Sequence, residues 1–317
     1  MCKYFAVKTR ITIIFCILLA CNGCAPRYET IGGYAQGGTY TVRYNAAGVT
    51  VPREQVGAAI EDILCAIDTT LSGYNRKSLL SRRNAGESVP LNDMFRDIEA
   101  ISERYRELTG GAFDAAAGPL FDIWGFGFTA DSLPSEAAIR QAMERCRRRE
   151  VLNFNAIAQG YSCDVVARYL HSIGVKDMLV DIGEIYCEGC NPSGQGWSIG
   201  IDTPEDGNNT PGARLSGIWH SDGGAHGIVT SGNYRKYYIK DGHKYAHTID
   251  PRTGRPVEHD LLSATVVAPT ATDADALATY FMVIGAGPAK EWVSSHEGIE
   301  ACLITSGGIW KSEGFGD

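Results

Sequence analysis

"LLSATVVAPTATDADALATYFMVIG", Leu261 to Gly285, carries two hydrophobic patterns in one short stretch. Its first part, "LLSATVVAP", is an apolar, β-branched run that reads as a strand. Past Pro269 the spacing changes. Leu277, Tyr280, Phe281 and Ile284 fall at i, i+3, i+4 and i+7, the stripe of a helix expected from about Asp273 to Ile284. Asp275 and Thr279 are four apart, each two residues from Leu277, so both point away from that stripe. A carboxylate stacked with a hydroxyl in the first turns suits a hard cation such as Mg²⁺. A solvated face with a favourable N-terminal acid is the simpler reading of these residues alone.

Working outward, β texture precedes this stretch: "DMLVDIGEIYC", "GWSIGID", "LSGIWHSD", "GIVTSG" and "RKYYIKDGHKYAHTI", with "KDGHK" a hairpin signal. A helix near Ala286 to His296 and a last strand, "IEACLITSGG", follow it. The N-terminal half is mostly helical. "REQVGAAIEDILCAIDTTLS" places Val56, Ile60, Ile63, Leu64, Ile67 and Leu71 on one face, and "LSGYNRKSLLSRRN" interrupts with turn chemistry. A second helix is expected near Asp93 to Leu108, stopping at "TGG". "PLFDIWGFGFTADSLPSEAAIRQAMERC" reads as a loop plus a surface helix. "QGYSCDVVARYLHSIGV" reads as a third core helix, with Val166, Tyr169, Leu170 and Ile173 inward and Gly174 ending it. "YETIGGYAQGGTYTVRYN" reads as a strand in which Tyr40, Val42 and Tyr44 alternate with polar residues. No repeat or low-complexity linker divides the chain. The expectation is one α+β unit, helices packed on a largely antiparallel sheet.

The 317 residues, 44% hydrophobic and 21% charged, are enough to bury a substantial core. A formal charge of −8 argues against non-specific nucleic-acid binding, which needs a basic face. At the N-terminus Lys3, Lys8 and Arg10 precede the apolar run "ITIIFCILLA", which is too short to span a bilayer comfortably. It ends in "LLAC", Leu18 to Cys21, which resembles a bacterial lipobox. Residues 1–20 are therefore expected to be a lipoprotein signal peptide, 21–32 a lipidated tether and 33–317 the folded domain. Cys24, in "NGC", is an alternative lipidation site. Of the ten cysteines, Cys2, Cys16 and Cys21 belong to the leader. "CEGC", Cys187 to Cys190, is read as a local disulfide or two free thiols in a turn, with a redox pair or zinc half-site as the other options.

Polar chemistry concentrates elsewhere in short, stiff segments. "AHTIDPRTGRPVE" sets His247, Asp250, Arg252 and Arg255 around two prolines and a glycine. "GAFDAAAGPL" places Asp114 just past a helix end, and "NAIAQGYSCD" is a small-residue turn leading into a helix, where backbone groups can reach a ligand. "VTSGNYRKY" offers Ser231, Gly232 and Tyr234 where a strand breaks. Each is weak alone. In this order, "GAFD", "IAQGYSCD", "TSGNYR", "HTIDPRTGRP" and "DALAT" resemble the ApbE family of FAD:protein FMN transferases, from about Gly33 to Gly285.

That resemblance implies a single-domain, T-fold-related flavin-binding fold. It also implies Mg²⁺-dependent splitting of FAD, with FMN attached to a Thr or Ser of a target protein and AMP released. The implied Mg²⁺ ligands are the Ala156 carbonyl, Asp275 and Thr279, with Ala278 adjacent. FAD contacts map to Gln36, Tyr74, Ala112, Phe113, Asp114, Asn153, Gln159 and Ile249. His247 is the candidate base, since imidazole titrates near neutral pH. Asp250, Arg252 and Arg255 are expected to hold their turn or pair with each other. The implied partner is a flavin-acceptor protein, such as a subunit of an Na⁺-pumping or Rnf-type electron-transport complex. The implied location is the bacterial envelope, lipid-anchored and facing the periplasm or exterior. Four positions depart from the family pattern: Gln159 where Lys is common, Asn153 for Asp, Glu184 for Gly, and Gln36 for Met. The alternatives are an FAD-binding lipoprotein without transfer and an FAD pyrophosphatase releasing FMN and AMP. Cys21→Ser is expected to block processing or release soluble protein in a membrane fractionation; a variant that stays mature and anchored, while Cys24→Ser does not, places the anchor at Cys24.

Overall fold

The computed structural model describes residues 26–126, 133–205, 207–208, 210, 212–234, 237–240 and 243–316. Eight strands form one sheet whose spatial order is their order in the chain: Tyr28–Ala35, Gly38–Asn45, Met178–Asp181, Ile185–Glu188, His226–Gly232, Leu261–Ala268, Glu300–Thr305 and Gly308–Lys311. Every neighbouring pair is antiparallel. Three two-stranded hairpins stand apart from it: Ser198–Asp202 with Leu215–His220, Tyr237–Lys240 with His243–Ala246, and Ile249–Asp250 with Arg255–Pro256. The fold is α+β, as its residue patterns indicate.

The helices are α1 (Arg53–Leu71), α2 (Leu79–Asn84), α3 (Asp93–Leu108), α4 (Gly118–Ile123), α5 (Glu136–Arg147), α6 (Ala158–Ser172), α7 (Ala271–Ile284) and α8 (Ala286–Ser294). Strand Leu261–Ala268 shows how the layers are built. Ala264 and Val266 face a core shared with α1, α3, α6 and α7, whereas Val267 faces a second core with Trp197, Ile199 and Trp219. Successive strand residues point to opposite faces. The Ser198–His220 hairpin covers the second face, so the strand is buried on both sides and its sequence is a continuous apolar run rather than an alternating one.

Several local expectations change. "YETIGGYAQGGTYTVRYN" is a hairpin of two strands, turning at Gln36 and Gly37, because both residues adopt φ values of 52° and 84° that reverse the chain. The first strand begins at Tyr28, inside the stretch read as a tether, and Ile31 is buried against the helical core. Short helices α2 and α4 occupy segments read as turn and loop; each has six residues, too few to show a periodic stripe. Of the two arrangements expected for Cys187 and Cys190, the structure has the free thiols, one buried and one exposed.

Helix α7 lies nearly against backbone at two crossings. A Cβ on Gly227 would fall 2.2 Å from the Ala271 nitrogen and 2.3 Å from its Cα. A Cβ on Gly160, in the first turn of α6, would fall 2.2 Å from the Ala271 carbonyl oxygen. Neither clash can be relieved by a side-chain rotation, because the obstacle is main chain. Gly227→Ala should lower unfolding stability by about 1–3 kcal/mol or more, read as the urea midpoint. Gly287→Ala on α8, where a Cβ meets nothing within 4 Å, should be neutral or stabilising by up to about 1 kcal/mol. Equal midpoints for the two variants would refute the steric account.

Candidate functional site

The N-terminus of α7 is fixed from two sides. Thr270 caps it locally, its hydroxyl accepting from the Asp273 N–H at 3.0 Å. Asp164, on α6, accepts from the Ala271 and Thr272 N–H groups at 3.0 and 2.9 Å and from the Thr272 hydroxyl. These are the donors that a helix start leaves without intrahelical partners. Desolvation drives the Asp164 carboxyl up, and these same hydrogen bonds pull it back.

One turn further, Asp275 is buried at 5% exposure. The expectation of a solvated face fails here, because α6 and the sheet cover α7 on the sides the apolar stripe does not. Asp275 accepts the Gly160 N–H at 3.0 Å and has no basic partner among the described residues. Burial pushes its carboxyl up to about 7, opposed by the Gly160 bond and reinforced by Asp164. A buried carboxylate without a counter-charge is a poor structural element and a good cation ligand.

Asp275 and Thr279 line a cavity of about 370 Å³. Ala156 enters from the turn before α6, and Gln159 from its first turn. Ala112, Phe113 and Asp114 enter from the loop after α3, with Asn153 beside them. Tyr74 stands at the rim, 69% exposed, and accepts from the Asn155 amide at 3.4 Å. His247 and Ile249 come from the far wall, where the His247 ring meets Phe126 edge-on at 6.3 Å. Burial raises the Asp114 carboxyl, while the Ala116 N–H and the Arg149 and Arg106 charges draw it down.

Two expected residues lie elsewhere. Gln36 does not line the cavity; its amide donates to the Ser162 hydroxyl at 2.5 Å, tying the first hairpin to α6. Ala278 is fully buried in the helical core and is not among the residues that line the cavity. Cys21 lies outside the described residues. Conversely, Asn155, Thr230, Thr248, Met282 and Val283 line the cavity without having been singled out. Asn155 carried a usable signal, since its N–H closes a turn on Asn153 at 2.9 Å. Glu184, noted as a departure, also reaches the cavity. Gln159 donates to the Ile182 carbonyl at 3.2 Å.

The opening of the proline-rich segment is a wall of this cavity and the rest is its buttress. Asp250 pairs with Arg252 at 2.8 Å and accepts its N–H at 2.9 Å. Arg255 pairs with Glu136 of α5 rather than within the turn. Gly254 turns at φ 71°, and its carbonyl accepts the Trp124 indole N–H at 2.8 Å.

A family model described as the ApbE family matches residues 37–303. A protein of Escherichia coli K12 named FAD:protein FMN transferase is 34% identical over 303 residues, covering 86% of this chain and 84% of the relative. The crystal structure of Pseudomonas stutzeri flavinyl transferase ApbE, apo form, superposes with a TM-score of 0.79 at 32% identity, covering 91% of this chain and 95% of the other. Flavin transferase ApbE from Vibrio cholerae gives 0.77 at 27% identity, covering 90% and 97%. A family match across most of the chain, a shared fold, and one cavity that gathers the motif residues together place this chain in the ApbE family.

Proposed function

We propose that this protein transfers FMN from FAD to a threonine or serine of an acceptor protein, with Mg²⁺ required and AMP released. The observation that carries the reading is the placement of His247, buried Asp275 and Thr279 on the same cavity as Tyr74 and the Ala112–Asp114 turn. The acceptor hydroxyl oxygen attacks the FMN phosphorus, and the bond from that phosphorus to the bridging oxygen breaks, leaving with AMP. His247 takes the hydroxyl proton. Asp275, Thr279 and the Ala156 carbonyl would hold the Mg²⁺, which offsets diphosphate charge as it builds on the leaving group. Oxygen donors of this kind fit a hard cation.

The lipobox-like "LLAC" supports anchoring of the enzyme at Cys21 in a bacterial envelope, facing the periplasm or exterior. The acceptor would then be an envelope protein, such as an exposed subunit of an Na⁺-pumping or Rnf-type complex.

Asp275→Asn keeps an acceptor for the Gly160 N–H but loses the charge. Since metal stabilisation of such a transition state is worth several kcal/mol, transfer at limiting Mg²⁺ should fall about 10²-fold or more. Wild-type rates for this variant across a Mg²⁺ titration would remove Asp275 from the metal set. His247→Ala should slow single-turnover transfer by about 10²–10⁴-fold with little change in FAD affinity. Wild-type transfer should also decline as acid converts the imidazole to imidazolium, which cannot accept a proton. Unchanged transfer with weakened FAD binding would make His247 a cofactor contact.

A further inference from the structure

Five helices end in the same hydrogen-bonded turn. After α2, α3, α4, α5 and α6, the residue just past the cap donates to a carbonyl three back, and the next residue reaches five back. That first residue must adopt a left-handed conformation. In four cases it is glycine: Gly86, Gly110, Gly125 and Gly174, at φ 83°, 57°, 80° and 91°. After α5 it is Arg149, at φ 51°. A side chain there costs free energy that glycine does not incur. The backbone contacts of Arg149 do not explain the choice. Its N–H bond to the Cys146 carbonyl and its carbonyl bond from Arg83, at 2.9 and 3.0 Å, would be open to glycine as well.

What glycine would lose is the guanidinium. Nη1 of Arg149 lies 3.1 Å from Glu103 of α3 and 3.6 Å from Asp114. Asp114 is set into the cavity wall by its own bond from the Ala116 N–H at 2.8 Å. We infer that Arg149 is a positioning residue: it holds the Asp114 carboxylate charged and directed at the cavity, so that it accepts a hydrogen bond from bound FAD. This rests on the flavin reading of the cavity. The groups acting on Asp114 are Arg106 and Glu103 from α3, Cys146 from α5 and Arg149 just past its end. Burial raises the Asp114 carboxyl and Arg149 opposes that rise, so removing the guanidinium moves its protonation to higher pH.

The test uses Arg149→Gly, which relieves the backbone strain, and Arg149→Lys, which keeps the charge. FAD affinity is read by flavin fluorescence over a pH series that runs from neutral into the acidic range, since burial raises the Asp114 carboxyl. Urea midpoints are taken on the same preparations. Arg149→Gly should keep or raise the midpoint, yet bind FAD about five- to tenfold more weakly at the acidic end, with the gap closing toward the neutral end. Arg149→Lys should recover most of the affinity. Glu184, His247 and Asp275 also line the cavity but are common to all three proteins, so the difference between profiles isolates Asp114. FAD binding by Arg149→Gly with the wild-type affinity and profile overturns the inference. So does a lowered midpoint with no recovery in Arg149→Lys, which would make Arg149 a structural latch. Failure of the wild-type chain itself to bind FAD overturns the flavin reading and this inference together.

Discussion

Helix α7 can carry its chemistry because two glycines let it touch its neighbours. Gly227 admits its first turn onto the sheet and Gly160 admits α6 onto its side, each within a distance that a Cβ would close. That approach puts Asp164 within reach of the Ala271 and Thr272 N–H groups and lets the Gly160 N–H bond Asp275. The same geometry buries Asp275 and raises its carboxyl, so the packing that stabilises the fold also sets the environment of the proposed cation ligand. A wider crossing would let water to the carboxylate and weaken its pull on a cation.

The cavity is electrostatically one-sided. Asp114, Glu184 and Asp275 bring carboxyl groups to it, and among the described lining residues there is no Lys or Arg. An FAD diphosphate entering such a space meets repulsion unless positive charge comes with it, which is the physical case for Mg²⁺ in the proposed reaction. The departures sharpen this. Gln159 and Asn153 line the cavity with uncharged amides, and Glu184 adds a carboxyl. Arg149 acts on this balance from behind the wall, 3.6 Å from Asp114.

Much of the architecture was legible because periodicity reports burial. Val56, Ile60, Leu64 and Ile67 are core residues of α1, and α3 spans Asp93–Leu108 as its pattern indicates. The reading slipped where an element was too short for a period, as in α2 and α4, or where a turn was hidden within a run of small residues, as at Gln36–Gly37. The motif segments from Ala112 to Thr279 do converge on one cavity, and the exceptions are instructive. Gln36 spends its amide on Ser162, and Ala278 turns to the core beside two residues that face the site.

By itself, the sequence determined the class of fold, the helix stripe of Leu277 and Phe281, the glycine-rich turns and the family that their order marks. These follow from local spacing and backbone preference, which neighbouring residues carry between them. Only the tertiary structure decided that the Asp275 face of α7 is buried rather than solvated, that Arg255 binds Glu136, and that Arg149 meets Asp114. Each depends on groups brought together from 35 or more residues apart, a distance over which periodicity holds no information. Burial then changed the chemistry, raising a carboxyl that would be ordinary on a helix surface.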